Sequence, residues 1–203
     1  MMHLGGDQIG FLKAGMAWMN APSMTARINA VPKEVDGHPY QLSTVGFGAA
    51  NYVANLVLGG TLERVPTLRI GIAELNGGWI GPTAEQMDLW AEVMPTRLKG
   101  VISLKPSAYV QRNVRVAPFN FEPVDTYIER HPFLADVYCF STDFPHIEGG
   151  HDPRRIWINR LGKFGPEMIE KVFVTNAELI MPSDRSTIRI SPPKERKTLD
   201  ATI

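Results

Sequence analysis

The chain has a single cysteine, Cys139, among its 203 residues, so an intrachain disulfide is excluded. That cysteine falls inside the apolar run Val137-Tyr138-Cys139 and reads as a small buried residue, not a reactive thiol. Net charge is missing too. With 21 acidic against 21 basic residues there is no electrostatic case for a nucleic-acid partner. No apolar stretch approaches the roughly 20 residues needed to span a bilayer. The opening Met1-Met2-His3-Leu4-Gly5-Gly6 has neither the basic nor the apolar region of a signal peptide, so the expected compartment is the cytoplasm. Repeats and low-complexity tracts are absent. What remains is ordinary globular composition, 44% apolar, long enough for one full core or for part of a larger domain.

The first forty residues carry little pattern: a weakly helical, Met-rich stretch from Ala14 to Met24 and a polar loop from Pro32 to Pro39. An apolar helix is expected from Ala49 to Leu58, stopped by Gly59-Gly60. Leu68, Ile70 and Ile72 alternate with Arg69, Gly71 and Ala73, which predicts a strand ending at Glu74. Thr83-Ala84-Glu85-Gln86 has capping-box spacing ahead of Met87, Trp90, Ala91 and Met94. A short strand follows over Asn113 to Ala117, then a helical face of Val124, Tyr127 and Ile128 ending near His131-Pro132. Asp136 to Phe140 is read as another strand. Asp152-Pro153 looks like an N-cap with proline at the first helical position, opening a helix with Trp157, Leu161 and Phe164 on one side. A last helix begins at Pro166 and shows Met168, Ile169, Val172 and Phe173. Trp90, Trp157 and Phe164 fall on helical stripes and are assigned to core.

Strand and helix alternate at least three times, which favours a parallel sheet with covering helices. The expected fold class is therefore α/β. A closed barrel typically takes about 250 residues, so only part of one is expected here. Residues 1–182 form that unit, and 183–203 form a polar tail.

In such a fold, chemistry sits where buried strands break into loops. Asp143 follows the third strand and suits metal binding or proton transfer from metal-bound water; a turn aspartate before Pro145 is the structural alternative. Glu74 ends the first strand, ahead of Asn76-Gly77-Gly78 and Trp79. A base, substrate contact or metal ligand competes there with a salt bridge to Arg69 or Arg112. His3 occupies the same rim if the opening residues are the stub of a strand, and a neutral imidazole there would suit a metal. His146, Glu148, His151 and Asp152 cluster closely, yet their spacing matches no zinc finger or metalloprotease helix. His146 is therefore read as a substrate-facing residue. His38 and His131 are read as structural.

Several segments in order resemble the amidohydrolase-related branch of the amidohydrolase superfamily, the group containing aminocarboxymuconate-semialdehyde decarboxylase. They are Gly60-Thr61-Leu62-Glu63-Arg64-Val65-Pro66-Thr67-Leu68-Arg69, Ala73-Glu74-Leu75-Asn76-Gly77-Gly78-Trp79-Ile80, Lys105-Pro106-Ser107-Ala108-Tyr109, Ser141-Thr142-Asp143-Phe144-Pro145-His146 and Val174-Thr175-Asn176-Ala177-Glu178. The resemblance implies a (β/α)8 barrel with a divalent metal, usually zinc. It implies Asp143 as the ligand and proton-transfer carboxylate after the eighth strand, and His3 as the ligand after the fifth. Glu74 falls where decarboxylase-like relatives carry a catalytic histidine. The family's His-x-His pair from the first strand is absent among the five histidines, so the chain resembles strands five to eight, the C-terminal half.

The expected function is that of a metal-dependent hydrolase or non-oxidative decarboxylase of small organic acids, esters or amides. Catalysis falls to Asp143 and Glu74, metal binding to His3 and Asp143, and substrate contact to His146 and Trp79. The rival is a non-catalytic remnant or binding subunit. Partners are a small-molecule substrate and either further copies of the chain or a missing N-terminal half. A half barrel would expose sheet edges and apolar faces, predicting aggregation and weak metal binding when isolated.

Overall fold

The computed structural model describes residues 43–144 and 150–181. Helix α1, Gly46–Leu58, buries Ala49, Val53 and Val57 at helical spacing. It stops at a glycine pair in which Gly60 adopts φ 71, and a Cβ there would lie 2.7 Å from the Val101 carbonyl oxygen. A single turn, α2 (Thr61–Arg64), leads to strand β1, Ile70–Ala73. Fully buried Asn113 fixes that approach by donating to the carbonyls of Pro66 and Leu68 at 3.0 and 2.7 Å.

Strand β1 is shorter than the expected 68–74 and pairs in parallel with β2, Val114–Ala117, with Ile70 opposite Val114 and Ala73 opposite Ala117. Between them run α3 (Ile80–Val93), α4 (Pro95–Leu98) and α5 (Pro106–Asn113), the crossover that parallel strands require. After β2 come α6 (Val124–Arg130) and a 3-10 turn, Pro132–Asp136. Residues 137–139 then line the far edge of β2 through one parallel bridge, Val116 with Tyr138. The order is β1, β2, then this third segment.

The expected strand over 136–140 is therefore only a bridge. Its first half stays wound because the Val137 and Tyr138 amides both donate back to the Leu134 carbonyl. Only Val137 and Cys139 exchange bonds with Val116, and Phe140 N–H already donates to Val172. Helix α7, Pro153–Leu161, starts as expected, with Asp152 accepting from the Arg155 amide at 3.1 Å. The last helix begins at α8 (Pro166–Glu170), widens into a π-helical turn over Lys171–Thr175 and closes as α9, Asn176–Glu178.

Period-two alternation puts Ile70, Ile72, Val114 and Val116 on one face, in the same buried cluster as Val53, Ile80, Ala84, Val110 and Ile128. Each buried Val or Ile side chain among them stabilises the fold by ~1.5–3 kcal/mol. The other face carries Gly71 and Arg115. It meets the C-terminal helix: a Cβ on Gly71 would sit 3.3 Å from Ile180, and Arg115 donates to the Asn176 carbonyl at 3.1 Å.

Helix α3 begins earlier than its capping-box signal. Thr83 does not cap it; its hydroxyl donates back to the Trp79 carbonyl at 2.8 Å, inside the first turn. The core stripe then runs through Ile80, Ala84 and Met87, which leaves Trp90 off the stripe and 54% exposed. Trp157 is buried as expected, and Phe164 is partly buried against the core. The segments 14–24 and 32–39 and the tail 183–203 lie outside the described residues.

Candidate functional site

The three parallel segments end on the same side, and the loops leaving them form a rim. Loop one joins Ala73 to Ile80, loop two joins Ala117 to Val124, and loop three leaves Phe140. Among the described residues, the non-glycine positions with left-handed φ are Glu74 (58°), Asn76 (58°) and Asp143 (55°). All three lie in loops one and three. Asn and Asp adopt this conformation readily as single residues, but for Glu74 it costs roughly 1–2 kcal/mol, so there the chain holds the rim against local preference.

Asp143 follows two hydroxyl residues that shape its turn. Its amide donates to Ser141 Oγ at 3.3 Å, and the Phe144 amide donates to Thr142 Oγ1 at the same distance. Both carboxylate oxygens of Asp143 are buried, whereas Phe144 beside it is 88% exposed. Glu74 is half-buried directly after β1. Of the arginines proposed to hold it, Arg69 donates to the carbonyls of Pro66 and Leu68, and Arg112 donates to the Leu62 carbonyl. Since β1 and the third segment flank β2 at strand spacing, the two strand ends stand roughly 10 Å apart.

Loop two contributes two residues that sequence reasoning missed. Glu122, 6% exposed, accepts from the Gly77 amide at 3.0 and 2.9 Å, from Gly78 at 3.1 Å and from Phe119 at 2.7 Å. Burial pushes its carboxyl above the usual range, and those amides with the Tyr127 hydroxyl pull the other way. Asn120, 3% exposed, accepts from the Trp157 indole at 2.8 Å and reaches the Thr142 carbonyl at 3.4 Å. Their signal was available: both follow the end of a strand, β2, the position that singled out Glu74 and Asp143. Tyr138 adds a third tie, its hydroxyl donating to the Gly77 carbonyl at 2.9 Å.

Trp79 spends its indole N–H within its own loop, donating to the carbonyls of Leu75 and Asn76 at 2.9 and 3.0 Å. Its ring lines a cavity of about 430 Å³ together with Phe47, Phe121 and Tyr127. Any contact it makes there is therefore apolar. A larger cavity, about 520 Å³, opens at the far end of α3 around Asp88, Lys99 and Lys105, away from every rim residue. Cys139 is inert: burial raises its thiol pKa to about 12. His131 packs against Gly81 and Phe133, as a structural histidine would. His3 and His146 lie outside the described residues, as do His38 and Glu148.

Among the described residues, no three His, Cys, Asp or Glu side chains gather closely enough to hold a metal. The donor chemistry fits at one point, Asp143, whose carboxylate is buried in the loop that leaves the third parallel segment. The remaining donors would have to come from elsewhere. No described helix is long and apolar enough to cross a membrane.

Fourteen chains of solved structures resemble this fold. One is a crystal structure of an amidohydrolase from Mycobacterium avium subsp. paratuberculosis K-10, with a TM-score of 0.63 and 19% sequence identity. The match covers 85% of this chain and 39% of that one, so this chain spans well under half of that protein's length. No curated protein matches significantly. The amidohydrolase family model matches residues 9–180, a stretch that contains Glu74, Asp143 and all three rim loops. Over most of its length, then, the chain belongs to the amidohydrolase family.

Proposed function

We propose that the whole protein is a metal-dependent hydrolase of small amides or esters, with Asp143 as its proton-transfer group. One observation carries this reading: Asp143 lies in the loop leaving the third parallel segment with its carboxylate oxygens buried and its backbone left-handed, on the rim that Glu74 shares. In the proposed reaction a water attacks the substrate carbonyl while Asp143 Oδ accepts the water's proton and returns it to the leaving group. Where a divalent metal such as zinc is bound, Asp143 and His3 would be among its ligands, and it would supply a Lewis acid and acidify the attacking water. Glu74 faces the substrate from the neighbouring loop, and Trp79 and His146 complete its contacts.

Hydrolysis is favoured over decarboxylation of a small organic acid because Glu74 stands where decarboxylase-like relatives carry histidine. At neutral pH a carboxylate accepts hydrogen bonds and does not donate them. The test is the rate of the full-length protein on a panel of small amides and esters. Asp143→Asn is expected to lower turnover about 10²–10⁴-fold. Wild-type rates in that variant would remove Asp143 from the mechanism.

A further inference from the structure

We propose that Asn120 and Glu122 are positioning residues that form a strut between loops one and three and set the spacing of Glu74 and Asp143. The proposal rests on the reading of those two carboxylates as the working groups. Two side chains of loop two, separated only by Phe121, reach opposite neighbours. Glu122 gathers the amides of Gly77 and Gly78 in loop one with that of Phe119 in its own loop. Asn120 takes the Trp157 indole on its Oδ1 and turns its Nδ2 to the Thr142 carbonyl, one residue before Asp143.

The residue types fit this task. Three amides converge on Glu122, and only a group that accepts at both oxygens satisfies them all; glutamine would turn an N–H toward one of them. Asparagine suits the other end because it must accept from an indole and donate to a carbonyl at once. Both residues are buried, and burial makes an unmatched partner costly. What they hold is strained. Glu74 persists in its left-handed conformation only if its surroundings over-determine it, and the bonds into loop one help do so. Phe121 between them stacks on Phe119 at 5.4 Å, which stiffens the short span.

The strut differs from a purely local brace in one respect: disturbing one end moves the other. Two variants of the full-length protein test this, with amide hydrogen exchange and turnover as readouts. Glu122→Gln is expected to speed exchange at Gly77 and Gly78 roughly tenfold or more for the loss of one matched bond. It is also expected to speed exchange at Thr142 and Asp143, which Glu122 does not touch. Asn120→Asp keeps the acceptor for Trp157 and loses the donor to Thr142. Exchange should then rise in loops three and one, and kcat should fall more than KM changes. If Glu122→Gln does not fold, Asn120→Asp carries the test alone.

Exchange that rises only in the loop the mutated side chain itself bonds, loop one for Glu122 and loop three for Asn120, overturns the strut, as does an unchanged kcat in a folded variant of an enzyme that Asp143→Asn inactivates. Should Asp143→Asn leave turnover intact, the functional reading fails, and the exchange coupling still decides whether the strut exists.

Discussion

Replacing Asn176 by alanine tests how the C-terminal helix fixes the third parallel segment, and through it the loop bearing Asp143. Asn176 is 3% exposed, and its Nδ2 donates to the carbonyls of Ala135 and Tyr138 at 2.7 and 2.8 Å. Alanine removes both donors and leaves two buried carbonyls facing a methyl-sized gap. Two neutral bonds contribute about 1 kcal/mol each, and the unmatched carbonyls add to the loss, so the expected destabilisation is ~2–4 kcal/mol. The backbone carbonyl that accepts from Arg115 is untouched, so this figure belongs to the side chain. Urea unfolding at pH 7 measures it directly. Asn176→Asp sharpens the test because an ionised carboxylate has no donor to offer either carbonyl. Its deficit should exceed that of alanine at pH 7. Burial raises the pKa of such a carboxyl in the fold, so the deficit should shrink as the pH falls below that raised value and the proton restores one donor. A loss under about 0.5 kcal/mol for Asn176→Ala would place it with ordinary surface substitutions and refute the reasoning.

Glycine positions give a paired prediction. Gly77→Ala would drive a Cβ to 2.4 Å from Pro118 Cγ, beside an amide that Glu122 needs, and is expected to cost ~1–3 kcal/mol, whereas Gly71→Ala meets only the movable end of Ile180 at 3.3 Å and should cost less than about 1 kcal/mol in the same thermal melts. Acid titration probes Asp136. Burial works to raise its pKa, but the hydrogen bonds from Lys171 and Gln111 outweigh this and hold it below the usual carboxylate range. A lowered folded pKa gives stability that is present above the unfolded value and lost as the pH falls through the folded one. Asp136→Asn should therefore be less stable than wild type by up to about 1 kcal/mol at pH 7, with the gap closing below about pH 4. An equal gap at pH 3 and pH 7 would contradict the ion pair's role.

The parts of the fold governed by local periodicity were legible in the chain. Ile70 and Ile72 alternate as residues on one face of a strand must, Asp152-Pro153 starts α7, and Gly59-Gly60 stops α1. Misreadings occurred where a distant or backward contact decides. Thr83 has the chemistry of a cap, yet its hydroxyl bonds the carbonyl four residues back, so α3 starts early and Trp90 rotates off the core stripe. The Leu134 carbonyl keeps residues up to Tyr138 in a turn, and no alternation of side chains signals that.

At the rim, the strand-end rule found Glu74 and Asp143 because Glu74 directly follows an apolar run and Asp143 follows one within a few residues. It was not extended to β2, where Asn120 and Glu122 sit among prolines and phenylalanines. Their roles depend on amides more than forty residues away in the case of Glu122, and on Trp157 in the case of Asn120. Such partnerships exist only once the sheet has formed.

The most direct test of the rim as the working site is a crystal structure of the full-length protein with a small amide or its carboxylate product bound. The account predicts the ligand's carbonyl carbon between loops one and three, with an Asp143 oxygen and the attacking water within about 3.5 Å of each other. A ligand seated instead at the far end of α3, between Asp88 and Lys105, would contradict it.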